Sequence, residues 1–298
     1  KDLLKINDQL ITIVQPNIEQ KNKWNLKQRD KHLKKLVMLS NNAKDKFIDT
    51  NRIIIWPETS LEGSIPSEVR LLSNISKQVL KSPKSILIVG LLRTEQSKIF
   101  NSLVFVNSKG QIIHKYDKIK LVPFGEYIPF RKHLSPISDF LPPRDFSKGS
   151  HKSNPLIDGF GEIITLICYE ILFVDEIVNR MSNKTNLLIN ITNDAWFGNT
   201  IGPYQHLALA KIKSVEFGFP LVRVANTGIS VFISPYGEII SRIPLNNESA
   251  KTFNLTNPIK STLYRTYGEY TFLLSILILI IINKLYINNY EENRSYEK

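Results

Sequence analysis

Three residues in this chain carry side chains that together could break and remake an acyl bond. They are Glu58 in "IIIWPE", Lys118 in "HKYDKIKLVPFGEY" and Cys168 in "EIITLICYE". Glu58 and Cys168 each close an apolar, β-branched run, and in α/β sheets the strand ends are where functional groups converge. A thiolate is the nucleophilic form of cysteine. A nearby ammonium favours that thiolate and can face a developing oxyanion. A carboxylate carries protons to the leaving group and from the incoming one. Each residue also has a plainer reading. A lone Cys packs as a small hydrophobe, a Lys in a Lys-rich chain faces solvent, and a strand-end Glu caps or pairs. Taken singly, none carries a function.

The elements that must position them are legible from periodicity. Alternating or β-branched runs mark strands at "LITIVQ", "RIIIWPE", "ILIVGLLR", "EIITLIC", "NLLINITND", "PLVRVA", "GISVFIS" and "GEIISRI". "NSLVFVN" and "GQIIHKYDK" read as a hairpin turning at Ser108-Lys109-Gly110. Leu33, Leu36, Val37 and Ser40 recur at helical spacing. Pro66-Ser67-Glu68 opens a second helix with Val69, Leu72 and Ile75 on one stripe, and "YQHLALAKIKSVEFGF" is a third. Near-continuous apolar strands imply sheets covered by helices. Paired strands without an intervening helix make the sheets mixed. The fold class is therefore α/β, a layered α-β-β-α sandwich. Neither GxGxxG nor a phosphate-binding loop is present.

Composition narrows the function further. The chain has 298 residues and a single Cys, so it holds no internal disulfide. The net charge of +12 fits either a generally basic surface or attraction to anionic lipid headgroups. Nucleic acid is not an expected partner, because the Lys and Arg are spread along the chain and no recognised motif is present. Five scattered His and one Cys do not make a metal site, so neither a metal nor another cofactor is expected.

The wording around the three residues adds a resemblance. "WPE", "KYDKIKLVPFGEYIPF", "ICYE" and "NITNDAWFG", in that order, resemble the nitrilase, or carbon–nitrogen hydrolase, superfamily. That resemblance implies a Glu58–Lys118–Cys168 triad, with Glu126 of "PFGE" as an additional carboxylate. The longer strings "VQPNIEQKNKW", "LVPFGEYIPF", "ICYEILF" and "NDAWFGNTIGPYQHLALAKIKSVEFGFPLVRVANTGIS" look like the apolipoprotein N-acyltransferase branch. This implies transfer of a fatty acyl chain from a phospholipid, through a Cys thioester, to the diacylglyceryl-cysteine of an apolipoprotein. It further implies a monomer in the bacterial inner membrane with its catalytic domain facing the periplasm. A membrane-tethered amidase that releases the acyl group to water is the competing expectation. Tyr169 and Glu170 are expected to support the nucleophile, Tyr169 through a nearby backbone N–H at the oxyanion. Trp24, Phe124, Tyr127 and Trp196 are expected to contact substrate, in part from the loops "SDFLPPRDF" and "NDAWFGNTIGPY".

The expected domains are a catalytic region over 1–262, a transmembrane helix over 267–287 and a loose polar tail over 288–298. The span rests on "TFLLSILILIII", on a length of about 20 residues, and on Tyr267, Tyr270, Tyr286 and Tyr290 as an interfacial belt. The chain begins on a lead-in to a first strand. The related branch carries a helical bundle ahead of this domain, so the chain is expected to be the C-terminal part of something longer.

Overall fold

The computed structural model describes residues 6–23, 25–43, 51–131, 145–150 and 153–296. In chain order the strands are β1 (Ile6–Gln15), β2 (Arg52–Ile55), β3 (Leu61–Ser64), β4 (Ile86–Glu95), β5 (Lys98–Asn107), β6 (Ile112–Asp117), β7 (Leu156–Ile157), β8 (Gly161–Ile167), β9 (Thr185–Thr192), β10 (Leu221–Ala225), β11 (Ser230–Ile233), β12 (Ile239–Ile243) and β13 (Ser249–Thr256). The helices are α1 (Gln20–Lys23), α2 (Arg29–Asn42), α3 (Ile65–Val79), α4 (Val174–Val178), α5 (Gly202–Phe217), α6 (Leu263–Tyr267) and α7 (Tyr270–Tyr296).

Among the described residues the strands form two sheets. One runs β13-β1-β2-β4-β5-β6 with β3 beside β4, and the other runs β12-β11-β10-β9-β8-β7. Side-chain alternation explains why the strands read as unbroken apolar runs. Ile53 and Ile55 of β2 join Ile163 and Ile167 of β8 in the core between the sheets. Their neighbours point outward: Ile54 packs with Leu36, Leu72 and Ile75 of α2 and α3, and Ile164 and Leu166 pack with Leu207, Ala210 and Phe217 of α5. The result is the expected α-β-β-α sandwich, apolar on both faces of both sheets.

Strand direction sets where the site forms. β2 is parallel to β1 and β4, while β4–β5 and β5–β6 are antiparallel. β6 therefore ends at the same edge as β2, and Glu58 and Lys118 leave the first sheet together. β8, β9 and β10 are mutually parallel, so Cys168 and Asp194 follow strand ends at one edge of the second sheet.

Several details differ from the sequence expectations. β13 pairs with β1 along its length, from Ile6↔Thr256 to Gln15↔Ser249. Its exposed Lys251 and Asn254 hid it. On α3, Val69 is exposed, and the buried stripe is Leu72, Ile75 and Val79. The apolar helix starts at Tyr270 rather than Tyr267, because Gly268 takes φ +56° and separates α6 from α7. The tail expected to be loose continues as helix to Tyr296, since no Gly or Pro follows Gly268 to stop it. The stretch Tyr270–Asn288 is 19 residues long, long and apolar enough to cross a bilayer, and none of it is buried against the rest of the chain.

Candidate active site

Cys168 follows β8 directly and adopts φ +55°, a left-handed conformation that an L residue adopts at a cost. The strain is local and is held from behind. Glu170, fully buried in the 3-10 turn Cys168–Leu172, accepts the Ile167 N–H at 2.8 Å through Oε2. Its Oε1 accepts the N–H groups of Ile119 and Lys120 at 2.6 and 3.0 Å and the Tyr116 hydroxyl at 3.0 Å. One carboxylate thus ties the turn after the cysteine to the segment carrying Lys118. Burial pushes the Glu170 pKa up, opposed by these backbone donors and by Lys118. Asn190 Nδ2 donates to the Cys168 carbonyl at 3.1 Å.

Lys118 is almost completely buried. Its Nζ donates to Glu126 Oε1 at 2.7 Å, and the other oxygen, Oε2, accepts the Val122 N–H at 2.9 Å. Burial opposes the Lys118 charge, but Cys168 when ionised, Glu58 and Glu126 outweigh it and raise the pKa. Glu58 opens the turn that follows β2, after Trp56-Pro57. Gly90 makes that turn possible: a Cβ there would lie 2.4 Å from the Pro57 carbonyl oxygen and 2.7 Å from Glu58 Cα. Glu58 Oε1 accepts from Asn101 Nδ2 at 2.7 Å, and the same amide nitrogen reaches Glu126 Oε1 at 3.2 Å.

The surroundings of the thiol work against its ionisation. Burial and the Glu58 charge push its pKa up to about 12, while Lys118 and the Thr192 hydroxyl pull it down. A buried thiol must lose its proton to act as a nucleophile, and Glu58 is a carboxylate whose charge it feels. The arrangement brings a thiol, a carboxylate and a buried ammonium together, groups whose chemistry is compatible with acyl transfer.

Behind the cysteine lies a second buried cluster. Arg223 Nη2 donates to Asp194 Oδ2 at 2.9 Å, and His206 Nδ1 lies 3.1 Å from Asp194 Oδ1. Burial works against the Asp194 charge, but Arg223 and His206 hold its pKa below the usual carboxylate range. Burial and Arg223 lower that of His206. The neutral imidazole stacks on Tyr169, with ring centroids 4.9 Å apart, and Phe197 meets Tyr169 edge-on at 6.0 Å.

The structure brings Glu58, Lys118, Glu126, Cys168, Tyr169 and Glu170 into one neighbourhood. Tyr127 is half-buried, and its carbonyl accepts the Phe124 N–H at 2.7 Å. Phe124 and Trp196 are 71% and 70% exposed. Trp24 and most of "SDFLPPRDF" lie outside the described residues. Asn101, Lys23 and the Asp194–His206–Arg223 cluster were not anticipated. Asn101 had one available signal, a polar residue opening an apolar strand. Lys23 Nζ donates to the Glu58 carbonyl at 3.1 Å.

The carbon-nitrogen hydrolase family matches residues 10–256. An apolipoprotein N-acyltransferase of Allorhizobium ampelinum is 36% identical over 259 residues, covering 83% of this chain and 48% of that protein. One from Rhizobium etli is 35% identical over 292 residues, covering 93% and 54%. The chain spans about half the length of these curated relatives. Among solved structures, an amidase from Nesterenkonia sp. superposes with a TM-score of 0.62 at 16% identity, covering 90% of this chain and 97% of that one. At that identity the likeness is one of fold.

Proposed function

Because the chain belongs to the carbon-nitrogen hydrolase family, we propose that its Glu58–Lys118–Cys168 site transfers a fatty acyl chain from a phospholipid to the N-terminal amine of a diacylglyceryl-modified apolipoprotein. The observation that carries the chemistry is the cysteine held at φ +55° and coupled to both a carboxylate and a buried ammonium. The choice of donor and acceptor is supported by the named relatives. It is supported also by α7, which presents a bare apolar surface of bilayer length, and by the exposed aromatic residues Phe124, Phe130 and Trp196 near the site.

In the first half-reaction Cys168 Sγ attacks the ester carbonyl as Glu58 takes the thiol proton. Lys118 Nζ and the Tyr169 backbone N–H face the oxyanion of the tetrahedral intermediate. The C–O bond breaks, the lysophospholipid leaves with the proton from Glu58, and the acyl group stays on sulfur. In the second half-reaction the acceptor nitrogen attacks the thioester. Glu58 takes a proton from nitrogen and returns it to the departing sulfur. Asn101 and Glu126 hold Glu58 and Lys118 in place. Phe124, Tyr127 and Trp196 contact the acyl chain at the rim. The enzyme resides in the bacterial inner membrane, α7 inserted and residues 1–262 on the periplasmic side.

The test is competition at a preloaded thioester. A diacylglyceryl-cysteinyl peptide should discharge it far faster than water does. Equal discharge by water would replace the transferase with an amidase that releases its acyl group.

A further inference from the structure

The two oxyanion donors of the proposed reaction are restrained in different ways. Lys118 Nζ is held by Glu126. The other donor is the backbone N–H of Tyr169, on the peptide that follows the nucleophile. A peptide group is planar and trans, so the Cys168 carbonyl and the Tyr169 N–H point in opposite directions. Asn190 Nδ2 holds the carbonyl end at 3.1 Å. Cys168 itself sits at φ +55°, a conformation that an L residue keeps only under restraint from its surroundings. The far side of that peptide is restrained through the Tyr169 side chain.

We propose that His206 is a positioning residue: its ring is the platform on which Tyr169 stacks, and the stack aims the Tyr169 N–H at the oxyanion, an inference that rests on the acyl-transfer reading above. The two rings are 4.9 Å apart and 13° from parallel. Phe197 meets both edge-on, 6.0 Å from Tyr169 and 6.3 Å from His206. Stacked and edge-on pairs at such separations stabilise one another beyond the area they bury. Tyr169 is only half-buried, so the rings it touches set its orientation. His206 is buried and does not share that freedom.

The platform is locked from behind. His206 Nδ1 lies 3.1 Å from Asp194 Oδ1 and 2.9 Å from Arg223 Nη2. Arg223, on β10, also donates to Asp194 Oδ2 at 2.9 Å and to the Ile229 carbonyl at 3.1 Å. The Thr192 hydroxyl adds a donor to Asp194 Oδ1 at 3.1 Å. Gly228 leaves room for the carboxylate, since a Cβ there would lie 2.7 Å from Asp194 Oδ2. Asp194 opens the 3-10 turn Asp194–Phe197, so the residue that locks His206 also anchors the turn carrying Phe197. An apolar cluster of similar volume would fill this space at least as well. What the ionic cluster adds is a fixed orientation of the His206 ring.

The test uses the full chain with His206→Leu and His206→Phe. Both lose Nδ1, and only Phe keeps a ring. Acyl loading from phospholipid in mixed micelles, and from a nitrophenyl acyl ester, is followed by intact mass, with iodoacetamide alkylation of Cys168 measured beside it. Alkylation occurs at a saturated carbon and develops no oxyanion, so it reads the thiol without the donors. Misplacing a group by ~1 Å can cost about 10²-fold, so His206→Leu should load about 10- to 100-fold slower. Its half-saturating donor concentration should not change, because the oxyanion forms only after binding, and its alkylation should stay within about twofold of wild type. His206→Phe should recover most of the loss. Tyr169→Leu should repeat the His206→Leu pattern and Tyr169→Phe should stay near wild type, a comparison that serves even if His206→Leu does not fold. Equal loss in the Leu and Phe variants of His206 would overturn the platform. So would a matching loss of alkylation, or a raised half-saturating concentration at an unchanged maximal rate. If the wild type loads from the nitrophenyl ester but not from phospholipid, the donor assigned above fails while the His206 comparison stands.

Discussion

Replacing Asn101 with Leu separates catalysis from stability, and the structure gives the expected size of both effects. The substitution keeps the side chain's branched outline, adds some bulk and removes its amide. Glu58 Oε1 loses its 2.7 Å donor, whereas Glu126 keeps Lys118 and the Val122 N–H. A hydrogen bond to a charged group contributes about 1.5–3 kcal/mol. If that bond holds Glu58 in line for proton transfer, its loss should slow thioester formation about 10- to 100-fold. The cost to folding is smaller. Asn101 Oδ1 is buried and has no partner among the described residues, and removing an unsatisfied buried group recovers roughly 1–3 kcal/mol. The two contributions nearly cancel, so the melting temperature should move by less than about 5 °C at ~2–4 °C per kcal/mol. The assay is the rate of acyl loading from phospholipid by intact mass, beside a thermal melt of the same sample. A folded Asn101→Leu protein that loads within twofold of wild type would refute the claim that Asn101 orients Glu58.

Three further outcomes follow from the geometry. Lys118→Met removes the charge that pulls the Cys168 thiol down, so its pKa should rise further; each unit means about tenfold less thiolate, and iodoacetamide alkylation at pH 8 should slow accordingly, whereas an unchanged pH profile would show that the two are not coupled. Gly90→Ala forces a methyl against Pro57 and Glu58; overpacking of this kind costs about 1–3 kcal/mol, so both the melting temperature and the loading rate should fall, and wild-type values for both would contradict the tight turn. Paired Leu274→Lys and Ile278→Lys place two charges in the middle of α7 at about 2.5–3.5 kcal/mol each, and flotation with phospholipid vesicles should be lost; retained flotation would show that α7 is not the membrane element.

The legible part of this protein was the part written locally. The two buried faces of β2 and β8 produce unbroken apolar runs, and the residues closing β2 and β8 stand out for that reason. What stayed hidden depends on contacts between distant segments. Asn101 meets Glu58 across 43 positions and Glu126 across 25, and nothing in "NSLVFVN" marks it as their shared donor. Lys23 is one of several Lys in its stretch until the fold brings its amine to the Glu58 carbonyl. β13 escaped notice because one of its faces is polar, and the α6–α7 break because a single Gly268 dihedral decides it. The burial of Cys168 is hidden for a related reason. Sequence reveals the nearby lysine, but not the burial that outweighs it.

The central claim is that Cys168 carries the acyl group. It is tested most directly by incubating the full chain with a phospholipid of defined acyl chain and taking its intact mass. The account predicts one added acyl mass, mapped to the peptide containing Cys168, released by hydroxylamine and absent from Cys168→Ala. An adduct that maps elsewhere, or that persists in the Ala variant, would contradict it.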